Sequence, residues 1–327
     1  MLDLIVSRRC LLGAAAALTG SAALNFPTVA FSKAPPVGTQ VPFFYRVKLG
    51  NLEATVVSDG PLALGPLAGI YPDAPKEELE KLLAANFAGS DALFEQNAIV
   101  VNTGDRLVLI DTGVGSAKPF GPNSGRMLRS LAAAGIDPKA IDAVVITHAH
   151  PDHCWGCLAA DGSPNYPNAQ FYIAQADYDF WTDEGKLNHP QIKGMVAGTR
   201  KALMPLRDRM SFVKDGADVF PGMKAIHTPG HTVGHTSYLL SSGNQLLLVS
   251  GDVVHHPAVS MARPKYKFGF DTDPDQGIAT RMKTLDMLSS ERMPVLVYHF
   301  PWPGIGHVGK EGDGYHYHPE PMRVVVD

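Results

Sequence analysis

Thr147-His148-Ala149-His150-Pro151-Asp152-His153 places four potential metal ligands within six residues. Just before it runs Ala143-Val144-Val145-Ile146, a near-continuous apolar stretch of the kind that forms a strand buried on both faces. The pattern predicts a strand over 142–147. In extended backbone, residues two apart point the same way, so His148 and His150 can reach one metal. Pro151 stops the strand and turns the chain. Asp152 and His153 then project from the following turn, where they can hold a second metal beside the first. Imidazole together with carboxylate suits Zn²⁺, and also Fe or Mn. Three further ligand types sit at the ends of later apolar segments: His231 in Thr228-Pro229-Gly230-His231-Thr232, Asp252 in Ser250-Gly251-Asp252, and His299 after Val295–Tyr298. Strand ends are where α/β folds build their sites.

Working outward, Phe43–Leu49 and Leu52–Ser58 read as a hairpin about Gly50-Asn51. Residues 60–75 are apolar and rich in Gly and Pro, too irregular for an element, and the stretch 60–70 is open between covering the site and meeting a partner subunit. Helices are expected over Lys76–Ala85, Ser124–Ala134, Ala174–Trp181 and Gln276–Ser289, with partial helix in 186–206. Strands are expected at 98–101, 107–110, 171–173, 224–226, 236–240, 245–250 and 295–298. This mixture without a clean linker favours one layered α/β domain. With 28 Lys+Arg against 32 Asp+Glu the chain carries no basic excess, which argues against a nucleic-acid partner. Three cysteines in 327 residues exclude a disulfide-built scaffold.

Residues 1–30 read as an address rather than as part of the fold. Ser7-Arg8-Arg9-Cys10-Leu11-Leu12 opens an apolar run to Leu24 that is shorter than the ~20 residues a spanning helix needs. Thr28-Val29-Ala30 then offers a cleavage site. The segment resembles a twin-arginine export signal, which implies a periplasmic or secreted protein, exported folded, with no stable membrane anchor after cleavage. Residues 31–327 form the expected single domain.

The series His148-x-His150-x-Asp152-His153, His231, Asp252, His299, together with Asp111-Thr112-Gly113, resembles the metallo-β-lactamase superfamily. The resemblance covers most of the chain from about residue 43 and implies a four-layer αββα sandwich. Carried over by position, one metal takes His148, His150 and His231, and the other takes Asp152, His153 and His299. Asp252 bridges them with a shared water or hydroxide, and Asp111 orients a ligand histidine. Two divalent ions, Zn²⁺ foremost, are the implied cofactors. The implied reaction is hydrolysis of an ester-like bond, in which Asp152 or Asp252 helps with proton transfer.

Class B β-lactamases usually have Cys where Asp252 stands, so antibiotic hydrolysis is disfavoured. Leu109-Ile110-Asp111-Thr112-Gly113, Phe120-Gly121-Pro122, Asp179-Phe180-Trp181 and Pro303-Gly304-Ile305-Gly306-His307 resemble the methyl parathion hydrolase and N-acyl-homoserine lactonase group. The group's apolar leaving-group pocket maps onto Phe120 and Trp181, with Met195 where the group tends to have an aromatic. Expected substrates are therefore an organophosphate triester, an aryl ester or a lactone, and a homodimer is the oligomer to consider. The alternatives are a mononuclear iron oxidoreductase of the persulfide dioxygenase kind and a glyoxalase II-like thioesterase. A nuclease of the same superfamily is disfavoured by the acidic charge. His227, His235, His255, His256 and His307 are read as supporting residues, with His255 and His256 also able to face the substrate. Cys154 and Cys157 form Cys-x-x-Cys, open between a structural disulfide, small packing residues and a redox pair.

Overall fold

The computed structural model describes Gly38, Gln40, residues 43–116 and residues 120–326. The proposed export signal lies outside them. Among the described residues no helix is long and apolar enough to cross a membrane.

In chain order the elements are β1 (Phe44–Leu49), β2 (Leu52–Ser58), β3 (Leu62–Pro66), α1 (Leu67–Ile70), α2 (Lys76–Ala85), β4 (Asp91–Phe94), β5 (Asn97–Asn102), β6 (Leu107–Ile110), α3 (Met127–Ala133), β7 (Ala143–Val145), α4 (Pro151–Cys154), β8 (Gln170–Ala174), α5 (Gln175–Thr182), α6 (Lys193–Leu203) and β9 (Met210–Val213). There follow β10 (Asp218–Phe220), β11 (Met223–His227), β12 (Thr236–Ser242), β13 (Gln245–Val249), α7 (Val259–Ala262), α8 (Pro274–Glu291), β14 (Val295–Leu296), β15 (Ile305–Glu311) and β16 (Gly314–Pro319).

One seven-stranded sheet has the order β1-β2-β5-β6-β7-β8-β9, and a second runs β10 to β16 in sequence order. Side chains alternate across a strand, and here both faces are used. From the first sheet Val56, Ile99, Val108 and Val145 meet Ala225, Tyr238, Leu247 and Leu296 of the second. On the first sheet's other face Val57, Val100, Leu109 and Val144 pack with Leu131 of α3, Trp181 of α5 and Val196 and Leu203 of α6. On the second sheet's outer face Leu248 and Val295 pack with Leu285 and Leu288 of α8. The layers are therefore helix, sheet, sheet, helix: the αββα sandwich.

The differences from the sequence reading have local causes. The helix expected from Ser124 starts at Met127, because the preceding turn is drawn onto buried Asp59, whose carboxylate accepts the Val114, Gly125 and Met127 N–H groups. Residues 60–75 are not irregular. β3 pairs with the unforeseen β4, and a bulge between Ala63 and Gly65 breaks the alternation that would have revealed it. The last core strand pairs over Val295–Leu296 only. β15 and β16 form a hairpin whose Gly, His and Lys content hid it.

Candidate metal centre

All seven expected ligands are buried, and each follows the end of a strand. His148 and His150 leave β7. Pro151 occupies the first turn of α4, which projects Asp152 and His153. His231 lies between β11 and β12, Asp252 follows β13, and His299 follows β14. The structure gathers them into three groups whose ligand atoms lie within 4.8 Å of one another: His148, His150 and His231; His148, His153 and Asp252; Asp152, His153 and His299. Asp252 is central. Its Oδ2 lies 3.0 Å from His299 Nε2 and 3.3 Å from His231 Nε2, and its Oδ1 lies 3.3 Å from His153 Nε2.

Four of the five histidines are turned by a partner behind them. Asp111 Oδ2 accepts the His153 Nδ1–H at 2.8 Å, and the Glu95 carbonyl accepts that of His299 at 2.8 Å. Asp271 Oδ1 accepts the His231 Nδ1–H at 2.9 Å. Thr147 Oγ1 donates to Asp111 and lies 3.1 Å from His148 Nδ1. Such contacts fix the ring orientation and turn each Nε2 inward. Asp111 does this from a left-handed backbone, φ 64°, held by the Thr147 N–H on its Oδ1.

Burial holds the His148 and His150 imidazoles well below their ordinary value, so both are neutral. Burial also opposes a charge on His153, but the carboxylates of Asp252, Asp152 and Asp111 outweigh it and hold that ring well above the ordinary value. Burial works against the Asp252 charge as well, and His299 and His153 reverse it to hold the carboxyl well below its usual range. His148 Nε2, His153 Nε2, Asp152 Oδ2 and Asp252 Oδ1 are buried with no hydrogen-bond partner. An unpaired buried polar atom costs ~1–3 kcal/mol. Converging unpaired imidazole and carboxylate donors are what a divalent cation satisfies, so the residue set fits metal ions.

Beside this cluster lies an apolar cavity of about 140 Å³. Phe120 and Met195 line it, together with Leu62 and Leu64 of β3 and Phe94, Phe268 and Phe270. The 60–70 stretch thus covers the site. Trp181 takes another position: it is 1% exposed, stands 4.8 Å from the His150 ring, and belongs to the core beneath.

Of the flanking histidines, His255 enters the centre. Its Nε2 is 3.2 Å from Asp252 Oδ2, it lines the cavity, and it stacks on Phe268 at 3.5 Å. His235 Nε2 accepts the Asp252 N–H at 2.9 Å, so its Nδ1 carries the proton and donates to Thr228. His256 Nδ1 accepts the Ala258 and Val259 N–H groups at the start of α7. His227 ends β11, and His307 lies 3.8 Å from Glu320. Cys154 and Cys157 are buried free thiols near Thr199 and Thr112, and burial raises both, Cys157 to about 12.

Sequence reasoning missed Asp177, Asp271 and Arg281. Asp177 accepts the Ala149 N–H at 2.6 Å and the Gly234 N–H at 2.9 Å, joining the His148–His150 segment to the His231 loop. A buried acid at the start of a helix is indistinguishable in sequence from an ordinary first-turn Asp.

A family model described as the metallo-beta-lactamase superfamily matches residues 92–299. Among solved structures, the chain is similar to AidC, a dizinc quorum-quenching lactonase in complex with a product, with TM-score 0.82 and 28% identity over 86% of this chain and 99% of that one. It is also similar to AbOPH, a hydrolase in the beta-lactamase superfamily, with TM-score 0.81 and 31% identity over 87% of this chain and all of that one. An N-acyl homoserine lactonase of Bacillus sp is 23% identical over 46% of this chain and 61% of its own. A beta-lactamase-like protein 2 homolog of Drosophila melanogaster is 28% identical over 48% of this chain and 46% of its own. The chain spans about half the length of the curated relatives it matches.

Proposed function

The chain belongs to the metallo-beta-lactamase superfamily, and on that premise we propose that it hydrolyses neutral ester-like bonds, lactones and aryl esters ahead of phosphotriesters, at a two-metal centre. The observation that carries this reading is the gathering of six buried candidate ligands about Asp252 beside an apolar cavity. His148, His150 and His231 would hold one ion, Asp152, His153 and His299 the other, and Asp252 both. When bound, two such ions supply a hydroxide at neutral pH and polarise the oxygen under attack.

The chain's own residues do the rest. Asp152, whose buried carboxylate lines the cavity, would help move the proton released on attack. Leu62, Leu64, Phe94, Phe120, Phe268 and Phe270 exclude water and hold an apolar substituent. An apolar cavity of about 150 Å³ holds a benzene-sized group, so the space fits one aryl ring or a short acyl chain. No Lys or Arg lines it among the described residues. Apart from the metal ions, the site therefore offers no cationic side chain to an anionic phosphomonoester or diester. The likeness to a dizinc lactonase supports the lactone ahead of the phosphotriester. Met195 in place of an aromatic works in the same direction.

The test compares kcat/KM of zinc-loaded protein for an N-acyl-homoserine lactone and for methyl parathion. We expect the lactone to lead by at least tenfold. A leading phosphotriester would overturn the substrate order, and turnover of neither would overturn the reading. Export through residues 1–30 is a further proposal, checked by whether protein recovered outside the cytoplasm begins at Phe31.

A further inference from the structure

The two sides of Asp252 are steadied by different carboxylates. Asp111 stands behind His153, and Asp271 stands behind His231. Among the described residues, only the second has a buried cation behind it. Arg281 of α8, 2% exposed, reaches Asp271 Oδ2 with its NH2 at 3.3 Å. Its Nε donates to the Val253 carbonyl at 3.0 Å, in the segment that carries Asp252 and His255. Its NH1 donates to the Pro264 and Tyr266 carbonyls at 2.8 and 2.9 Å. One rigid guanidinium fork thus fixes three segments at once, a task the single-point ammonium of lysine cannot repeat.

The backbone beside it is locked in the same way. Thr272 N–H donates to the His231 carbonyl at 2.8 Å, Asp273 N–H to the Gly230 carbonyl at 2.9 Å, and Thr280 Oγ1 to the Pro229 carbonyl at 2.6 Å. Gly230 rests on α8 so closely that a Cβ there would stand 2.2 Å from Gly277 N. His231 is therefore held by its ring and its loop backbone to the segment leading into α8 and, through Asp271 and Thr280, to α8 itself, whereas His153 is held by Asp111 and Thr147.

We propose that Asp271 and Arg281 are positioning residues for the metal held by His148, His150 and His231, and not for its neighbour. This rests on the two-metal reading above. A carboxylate on Nδ1 fixes the ring and raises the basicity of the facing Nε2, and losing such a partner typically weakens metal binding by about 10–100-fold. Here that loss falls on one ion of the two.

The experiment titrates chelator-treated protein with Co²⁺ and follows the visible absorption band and the heat of each step. Wild type takes up two equivalents in resolvable steps. Asp271→Asn, which keeps an acceptor but loses the charge, weakens one step at least tenfold and moves the other less than twofold. Arg281→Lys does the same to a smaller extent. Asp111→Asn weakens the opposite step. In a His231→Ala background, Asp271→Asn changes the remaining binding less than twofold, because the residue through which it acts is gone. Equal weakening of both steps, or no change in either, overturns the proposal. If Arg281→Lys does not fold, Asp271→Asn and the His231→Ala background still decide it. A wild-type protein that binds fewer than two equivalents instead overturns the two-metal reading itself.

Discussion

Four of the five imidazoles of the centre have a partner behind them and turn their other nitrogen toward the carboxylates at its middle. His153 between Asp252 and Asp111, and His231 between Asp252 and Asp271, show the pattern. Asp252→Asn keeps the shape of the central side chain and removes its charge. It should release at least one metal equivalent and lower kcat by more than about 100-fold, the upper range for outer partners of a metal site; metal analysis with steady-state kinetics measures both. A second prediction concerns His256. Burial lowers its imidazole to about 4, and its Nδ1 must stay unprotonated to accept two N–H groups. The unfolded chain protonates that ring near 6.5. Between those values the unfolded state holds more protons, so this stabilisation is intact above about pH 6.5 and is lost as pH falls toward 4. His256→Asn keeps an acceptor and cannot titrate. Urea unfolding at pH 8 and pH 5 should show wild type losing about 2 kcal/mol more than the variant, and equal losses would contradict the assignment. The seven candidate ligands stood out because they are ligand types at the ends of apolar runs, and Asp111 through the family's Asp-Thr-Gly motif. Asp271 and Asp177 belong to no such motif, and their partners lie 40 and 28 residues away in sequence.

Elements buried on both faces announced themselves, since β5, β6 and β7 are continuous apolar runs, and α2 was legible to the residue from its leucine spacing. The edges were harder to read. β4 buries only alternate residues, β3 carries a bulge, and the β15–β16 hairpin spends its outward positions on Lys and His. Two element contacts are open to test. Gly156, just past α4, lies so near the turn after β6 that a Cβ would stand 2.0 Å from the Thr112 carbonyl oxygen. Gly156→Ala must push the Asp111–Gly113 turn off α4, and thermal unfolding should report a loss of about 1–3 kcal/mol. Arg281→Ala leaves Asp271 buried without its cation. Its expected cost is about 3–5 kcal/mol, much larger than for Lys310→Ala, whose Asp286 partner is exposed at the surface.

At the scale of the whole molecule, two sheets present strand ends to one centre, and β3 with Phe94 roofs it. The packed layers bring the seven candidate ligands together, and their unpaired buried atoms carry a cost that a bound cation would offset. Ligands that bind only the folded state stabilise it by mass action, so chelation should lower the melting temperature by several degrees, and added Zn²⁺ should restore it. The most direct test of the central claim joins metal to turnover. Chelator-treated protein is reconstituted with zero to three equivalents of Zn²⁺, and kcat/KM for an N-acyl-homoserine lactone is read at each point. The account predicts negligible turnover without metal and a rise that breaks at two equivalents. Turnover that survives chelation, or that saturates at one equivalent, would contradict it.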